Sequence, residues 1–189
     1  MPVALYAGKL SPRKRPLDLV RAAARIAADC PLSVVLVGDG SERRTLEDEI
    51  GRAGLRYARI TGFVNQGEIS RYYAACDVLV LPSSHEPWGL VLNEAMCFGV
   101  PVIASDAVGA APDLARVGEN GAVYPVGDVG ALAQALRVIL RDPVRRAAMG
   151  ARSREIVRGY SYDADVQGIL DALRSTGVRR APAAPRAAR

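Results

Sequence analysis

The stretch VLVLPSSHEPWGLVLNEAMCFGVPVIA, residues 78–104, gives the clearest indication of the fold. It begins with an aliphatic run, Val78–Leu81, that ends at Pro82, and we predict a strand there. We predict a helix over about Gly89–Phe98 and a second strand over Val102–Ala104. Both strands are apolar throughout and lack the alternation of apolar and polar residues that a half-exposed sheet shows. The stretch is therefore typical of a parallel sheet covered by helices on both faces.

The same alternation of short apolar runs with longer amphipathic stretches continues on both sides. Strands are predicted over Val3–Ala7, Ser33–Val37, Tyr57–Ile60, Val78–Leu81, Val102–Ala104 and Ala122–Tyr124. Helices are predicted over about Pro16–Asp29, Ser41–Ala53, Asn65–Ala75, Gly89–Phe98, Val129–Arg141, Val144–Arg158 and Tyr162–Leu173, with Ser41 and Asn65 as N-caps. This order predicts a Rossmann-like, doubly wound α/β fold with a six-stranded parallel sheet, helices on both faces and extra C-terminal helices.

The length of 189 residues fits one domain with a tail, and we assign residues 1–174 to that domain. Residues 175–189 are rich in Arg, Ala and Pro and are predicted to be disordered. The basic segment 174–189 suits a solvated tail, and contact with anionic lipid or with phosphate-bearing acceptors is the alternative. Met1 and Pro2 lead directly into the first predicted strand, which suits either a complete domain or a fragment cut at a linker.

Composition excludes some classes of function. The net charge of +5 is spread along the chain, which favours anionic ligands without indicating nucleic acid, so we expect no nucleic-acid partner. Cys30, Cys76 and Cys97 lie far apart without metal-ligand spacing, and we expect reduced, buried thiols. No signal peptide or long apolar segment is evident. We expect a soluble, cytoplasmic protein, with peripheral membrane contact left open.

Ligands of open α/β sheets bind at the carboxyl ends of the strands, so the loops at those ends are the candidate sites. These loops are residues 8–15, 38–41, 62–65, 82–89 and 105–109. In the fourth loop Glu86 precedes the predicted helix start at Gly89, where the absence of a side chain lets a ligand approach the backbone. The N–H groups of Gly89, Leu90 and Val91 carry partial positive charge and are suited to a pyrophosphate.

Glu94 follows Glu86 by eight residues and lies one helical turn beyond Leu90. Its carboxylate is able to accept both hydrogen bonds of a vicinal diol such as that of ribose, and Glu86 is able to bind sugar hydroxyls in the same way. Either glutamate alone would commonly only complement the helix dipole. The occurrence of both around one helix start favours a binding site over that alternative.

Cations are expected near a bound pyrophosphate, because backbone dipoles neutralise its charge only in part. Lys9 and Lys14 lie in the first strand–helix loop, within reach of such a ligand. Lys14 also suits a solvated basic turn together with its arginine neighbours. His85, the only histidine, is interpreted as a neutral loop residue, with a position in the cleft as the alternative.

Two segments carry a family resemblance. Gly8-Lys9-Leu10-Ser11-Pro12-Arg13-Lys14 resembles a G-R/K-L-x-x-x-K loop, and Glu86 through Glu94 followed by residues 99–102 resembles an E-x7-E motif. Together they are similar to the C-terminal domain of retaining GT-B glycosyltransferases, the glycosyl transferases group one that include glycogen and sucrose synthases. The resemblance covers about residues 3–172, and it implies that this chain is one half of a GT-B fold.

The resemblance also implies roles for individual residues. Lys9, which stands where the family usually has arginine, and Lys14 would bind the donor diphosphate and assist its departure. Glu86 would contact the donor sugar, Glu94 the ribose hydroxyls, and the first N–H groups of the helix the phosphates. These expectations give the candidate catalytic residues Glu86, Lys14 and Lys9. The candidate donor-binding residues are Glu94, Gly89, Leu90, Val91, Gly62, Phe63, Val64 and Gly8, of which residues 62–64 would cradle the nucleobase mainly through their backbone.

The family places a second, N-terminal domain opposite the donor domain to bind the acceptor, and this chain shows no counterpart to it. We therefore expect donor binding without turnover by this chain alone, a nucleoside-diphosphate sugar as substrate, and no metal or other cofactor. The missing acceptor domain would be the partner, in the same chain or another. The alternatives are a stand-alone nucleotide-sugar-binding subunit, a GT-B-like epimerase and a phosphorylase. The paired glutamates favour a transferase over an epimerase, and no cofactor lysine for a phosphorylase is evident.

Overall fold

A computed structural model describes residues 1–176 of the chain. The six strands are β1 (Val3–Ala7), β2 (Ser33–Val37), β3 (Ala58–Gly62), β4 (Val78–Leu81), β5 (Val102–Ser105) and β6 (Gly121–Tyr124). They form one sheet in the order β3-β2-β1-β4-β5-β6, and all neighbouring strands run parallel. The predicted doubly wound α/β fold with a six-stranded parallel sheet is confirmed.

Helices of the first part of the chain cover both faces of the sheet. They are α1 (Pro16–Ile26), α2 (Arg43–Arg52), α3 (Gln66–Ala75), α4 (Leu90–Cys97), α5 (Ala111–Leu114), α6 (Val129–Leu140) and α7 (Pro143–Val157). A further helix, α8 (Tyr162–Ser175), follows them in the chain. Helices α1, α2 and α6 contribute to one apolar core, and α3, α4 and α5 contribute to the other. Successive β1 residues alternate between the cores, with Ala4 and Tyr6 in the first and Leu5 and Ala7 in the second.

The order of the strands reverses beside β1. From β1 the chain adds β2 and β3 on one side, and then returns to add β4, β5 and β6 on the other. Because the chain passes from β1 to α1 on one face of the sheet and from β4 to α4 on the other, a crevice forms at the carboxyl ends of these two strands. Such a switch point is where open α/β sheets bind their ligands.

The described chain divides into two units, one over Met1–Val157 and one that begins at Arg158. In the second unit the side chain of Ser161 caps α8 by accepting a hydrogen bond from the backbone N of Ala164 (3.2 Å). Every residue of α8 is exposed. The assignment of residues 1–174 to one domain stays a prediction. The predicted disordered tail lies outside the described residues except for Ser175, which ends α8, and Thr176.

Several local predictions need correction. β3 spans Ala58–Gly62 and not Tyr57–Ile60. α2 begins at Arg43 with Glu42 in the N-cap position, so Ser41 is not the cap. The reason is a contact in the tertiary structure. The backbone N of Glu42 donates to the carbonyl oxygen of Leu10 (3.0 Å), so the helix begins one residue after Glu42. Asn65 does occupy the N-cap position of α3, but its side chain makes no capping hydrogen bond.

Two short elements were not predicted, α5 and a 3-10 turn at Pro12–Lys14. Both are too short to show a periodic pattern of apolar residues. The prediction of three buried thiols is correct for Cys30, whereas Cys76 is half-buried and Cys97 is exposed. Cys97 lies on the outward face at the end of α4, next to the fully buried Met96. Within residues 1–176, no helix combines the length and apolar character that crossing a membrane requires.

Tyr124 is a buried residue of β6 whose hydroxyl has no hydrogen-bond partner within residues 1–176. Burial, followed by the negative charge of Asp18, raises the pKa of Tyr124 above its ordinary value of 10.0. The folded state therefore keeps this proton at pH values where the unfolded chain loses it. The free energy of unfolding must consequently fall as the pH rises above about 10.

We expect Tyr124→Phe to reduce this fall by up to ~1.4 kcal/mol per pH unit. Tyr162→Phe, at a position that is 91% exposed, is the matched control and should leave the fall unchanged. Urea denaturation at several pH values from about 8 to 11 provides the measurement. Equal pH dependence in the two variants would contradict the expectation.

Candidate functional site

The loops that follow β1 and β4 are joined by direct hydrogen bonds at the switch point. The carbonyl oxygen of Arg13 accepts from the backbone N of Ser84 (2.8 Å) and from its Oγ (3.1 Å). The guanidinium of Arg13 donates from Nη1 to the carbonyl oxygen of His85 (3.1 Å). These contacts hold the 3-10 turn of the first loop against the second loop and place Lys14 next to Glu86.

Lys14 and Glu86 form an ion pair through Nζ and Oε2, and their side chains are only 19% and 14% exposed. The backbone of Glu86 is also fixed, because its N donates to the carbonyl oxygen of Ala107 (3.2 Å) and its carbonyl accepts from the N of Gly109 (2.8 Å). A Cβ at position 109 would lie 2.0 Å from the carbonyl oxygen of Pro87. Glycine at this position therefore lets the loop that carries Glu86 lie against the loop after β5.

Lys9 lies between two backbone anchors on the other side of the crevice. The N of Gly8 donates to the carbonyl oxygen of Val37 (2.9 Å), and the N of Leu10 donates to that of Asp39 (2.9 Å). The hydroxyl of Tyr6 donates to the carbonyl oxygen of Lys9 (2.8 Å). Burial, followed by the nearby carboxylates, raises the pKa of Tyr6, so this residue remains a neutral donor. The backbone of Lys9 is thus fixed, whereas its side chain is exposed.

The N-terminus of α4 opens into the same crevice. Gly89 is the N-cap residue with φ of 107°, and a Cβ there would lie 2.8 Å from Cδ2 of Leu81. The N of Leu92 donates to the carbonyl oxygen of Gly89 (2.8 Å) and begins the helical ladder. The N–H groups of the residues before Leu92 precede that ladder and carry the positive end of the helix dipole. This is the backbone arrangement that binds phosphate groups at helix N-termini.

Glu94 lies on the first turns of α4 and is bonded to a buried tyrosine. The hydroxyl of Tyr73, a residue of α3 that is 2% exposed, donates to Oε2 of Glu94 (2.6 Å). Burial, followed by this hydrogen bond, raises the pKa of Tyr73. The carboxylate of Glu94 is therefore held at the edge of a cavity that both residues line.

Two cavities adjoin along α4. The larger, of about 550 Å³, is mainly apolar and is lined by Ala7, Gly8, Lys9, Val37, Gly38, Asp39, Phe63, Val64, Gln66, Ile69, Tyr73, Val91 and Glu94. The smaller, of about 360 Å³, is lined by Lys14, Glu86, Pro87, Trp88, Gly89, Leu90 and Val91. Val91 lines both, so the cavities are neighbours along the helix start. Together they form a cleft whose charged residues are Lys9, Asp39 and Glu94 in the larger cavity and Lys14 and Glu86 in the smaller.

The structure brings most of the predicted site residues to this cleft. In the larger cavity are Gly8, Lys9, Phe63, Val64, Val91 and Glu94, and in the smaller are Lys14, Glu86, Gly89, Leu90 and Val91. Gly62 lines neither cavity. It is the last residue of β3, and its carbonyl oxygen accepts a hydrogen bond from the N of Gly38 (2.9 Å). His85 also lines neither, and it is exposed. Whether the residues in the cleft bind a ligand stays a prediction.

Tyr73 and Asp39 line the cleft and were not identified from the sequence. Tyr6 was not identified either, and its hydroxyl holds the backbone of Lys9. In the sequence, Tyr6 and Tyr73 look like ordinary apolar residues of a strand and a helix, and only the tertiary structure shows where their hydroxyls point. Asp39 stood in a loop already selected by its position after β2, which was the available indication. Within residues 1–176, no three His, Cys, Asp or Glu side chains are grouped closely enough to hold a metal ion.

The strand order and the cleft define a Rossmann-like domain with a cleft at its switch point. Residues 1–156 match the model of the family Glycosyl transferases group 1. The match covers most of the chain, and the chain therefore belongs to this family of glycosyltransferases.

Curated relatives agree with this assignment. The D-inositol 3-phosphate glycosyltransferase of Kineococcus radiotolerans is 33% identical over an alignment of 190 positions. The alignment covers 91% of this chain and 44% of the relative. The N-acetyl-alpha-D-glucosaminyl L-malate synthase of Bacillus anthracis is 34% identical over 144 residues, which cover 76% of this chain and 37% of the relative. The chain thus spans less than half the length of these relatives.

Solved structures show the same fold. HepE of Anabaena in complex with UDP and glucose has a TM-score of 0.78 and 31% identity, and the match covers 92% of this chain and 48% of that one. The C-terminal domain of LpcC, a glycosyl transferase group 1 family protein of Francisella tularensis, has a TM-score of 0.78 and 26% identity. That match covers 85% of this chain and 87% of the LpcC domain. The chain therefore has about the extent of that single domain.

The packing of Gly109 predicts the effect of a single methyl group. In Gly109→Ala the Cβ would clash with the Pro87 carbonyl, so the loop that carries Glu86 must move, and we expect the free energy of unfolding to fall by ~2 kcal/mol or more. Gly51→Ala is the control, since the added methyl would meet no atom of the described chain within 4 Å apart from the adjoining backbone of α2 itself. That variant should gain up to ~1 kcal/mol. Urea denaturation measures both, and equal stabilities would contradict the described packing.

Proposed function

We propose that this chain is the donor-binding, C-terminal domain of a retaining glycosyltransferase that uses a nucleoside-diphosphate sugar. The observation that carries the proposal is the pair of adjoining cavities along α4. Glu94 lies at one, the helix N-terminus lies where the two meet, and Lys14 and Glu86 lie at the other. This is the order in which ribose, diphosphate and sugar follow one another in such a donor.

Two structural neighbours support the proposal. HepE, which is 31% identical over 92% of this chain, was solved with UDP and glucose, and this supports a nucleotide sugar as the ligand. The LpcC domain is described as C-terminal, and this supports the same position for the present chain in a longer protein. The resemblance of the Glu86–Glu94 segment to the E-x7-E motif of retaining enzymes supports retention of the anomeric configuration.

The larger cavity is proposed to bind the nucleoside. Its volume and mainly apolar lining suit a nucleobase, which would lie near Gly38 on one side and Phe63 and Val64 on the other. Glu94 would accept hydrogen bonds from both ribose hydroxyls, because an ionised carboxylate offers about four lone-pair sites. The N–H groups of Leu90 and Val91 would then be in position for the phosphates.

The smaller cavity is proposed to bind the donor sugar and to assist the departure of the nucleotide. Negative charge grows on the diphosphate as its bond to the sugar breaks, and oriented cations and dipoles stabilise that charge. Lys9, Lys14 and the N-terminus of α4 would supply them without a metal ion. The ion pair with Glu86 orients Lys14 beforehand, and Glu86 has a second carboxylate oxygen for a sugar hydroxyl. Lys9, Lys14 and Glu86 are therefore the proposed catalytic residues.

The acceptor is proposed to bind to a second domain, in the same chain or another. The present chain spans 44% of the Kineococcus relative and 37% of the Bacillus relative, so most of each relative has no counterpart in it. The side of the cleft opposite α4 would be completed by that domain. From this division we expect that the chain alone binds the donor, and that turnover requires the second domain.

Titration calorimetry of the 189-residue chain with UDP, GDP and ADP tests the donor site. We expect one of the three to bind, and Glu94→Ala to weaken binding ~30- to 100-fold, because two hydrogen bonds to a charged group are lost. Glu155→Ala removes an exposed carboxylate of α7 and is the matched control, with no expected change. Absence of binding by all three nucleotides, or unchanged binding in Glu94→Ala, would contradict the proposal. Sugar transfer by the chain alone would contradict the need for a second domain.

A further inference from the structure

We propose that Tyr73 is a positioning residue for the donor site: its buried hydroxyl holds Oε2 of Glu94 and so orients the carboxylate to receive the two ribose hydroxyls. This inference rests on the proposed function, since it assigns a role in ribose binding to a residue of α3. Tyr73 would touch the carboxylate and not the sugar. Its effect on the ligand would therefore pass entirely through Glu94.

The tyrosine is itself held in place. Its side chain is 2% exposed in the core between α3 and the sheet, and its ring lies 5.8 Å from that of Phe98, at an angle of 36°. A ring packed in this way fixes the direction of its hydroxyl, which lies 2.6 Å from Oε2 of Glu94. The carboxylate is thereby joined to the protein core and not only to its own helix.

The chemistry of Glu94 explains why such a contact matters. Glu94 is exposed on α4, and an exposed glutamate loses rotamer freedom when it binds a ligand, which reduces affinity. A hydrogen bond formed before binding removes part of that loss. The tyrosine uses one of about four lone-pair sites on the carboxylate, and the remaining sites suffice for a diol.

Tyr73 is also suited to act as a constant donor. Burial, reinforced by the hydrogen bond and charge of Glu94, raises its pKa, so the hydroxyl keeps its proton at neutral pH. A protonated hydroxyl donates its hydrogen bond to Oε2 of Glu94 and leaves the other carboxylate oxygen open to a ligand.

A merely structural role is the competing explanation, since the same hydrogen bond also joins α3 to α4. The two roles differ in what they predict for ligands. Loss of a structural contact would weaken the binding of every nucleotide alike or reduce only stability. Loss of a positioning contact would weaken only those ligands that use Glu94, which are the ligands with ribose hydroxyls.

The experiment compares Tyr73→Phe with Tyr72→Phe in the full chain. Tyr72 is the adjacent residue, is half-buried, and lines a different cavity with Val3 and Val35, so its variant is a matched control. Calorimetry measures the Kd of UDP, GDP and ADP and of their 2′,3′-dideoxy forms. We expect Tyr73→Phe to weaken the binding of the ribonucleotide ~5- to 10-fold and to leave the dideoxy form unchanged. Tyr72→Phe should change neither.

Glu94→Ala separates failure of this inference from failure of the proposed function. If Glu94→Ala does not discriminate between ribonucleotides and dideoxynucleotides, the proposed ribose site is wrong. If Glu94→Ala weakens only ribonucleotide binding while Tyr73→Phe weakens both forms equally or neither, the inference about Tyr73 alone is overturned. The double variant Tyr73→Phe/Glu94→Ala should bind no more weakly than Glu94→Ala, because Tyr73 acts through Glu94.

Discussion

The site depends on one contact, the pair of hydrogen bonds from Ser84 to the carbonyl oxygen of Arg13. The residues are 71 positions apart in the chain, and they meet because β1 and β4 are neighbours in a sheet whose order reverses between them. This contact brings Lys14 to Glu86. Without it, Lys14 and its arginine neighbours would form the solvated basic turn that was the sequence-based alternative for this residue.

Glycines permit the close approach of these loops. Gly109 lies against the Pro87 carbonyl, and a Cβ at Gly38 would lie 1.9 Å from the carbonyl oxygen of Gly8. Gly89 has a left-handed conformation at the start of α4, with Leu81 packed beneath it. Small residues therefore occur where the backbones must meet, and the charged side chains are carried by the segments between them.

The fold and part of the site could be predicted from the sequence, because the patterns that indicate them lie within short segments of the chain. Short aliphatic runs between amphipathic stretches are sufficient to predict a parallel sheet, and the eight-residue spacing from Glu86 to Glu94 is set by one loop and one helix. Tyr73 could not be assigned to the site, since its hydroxyl reaches Glu94 only after α3 and α4 pack together. The mistaken cap at Ser41 has the same cause, a tertiary hydrogen bond from Glu42 to Leu10.

A crystal structure of the chain with the nucleoside diphosphate that binds most tightly is the most direct measurement of the central claim. We expect diphosphate oxygens within hydrogen-bond distance of the backbone N atoms of Leu90 and Val91, and both ribose hydroxyls on the carboxylate of Glu94. A nucleotide bound elsewhere, for example in the cavity beside Tyr72, would contradict the assignment of the donor site. So would a diphosphate at the helix start with its ribose turned away from Glu94.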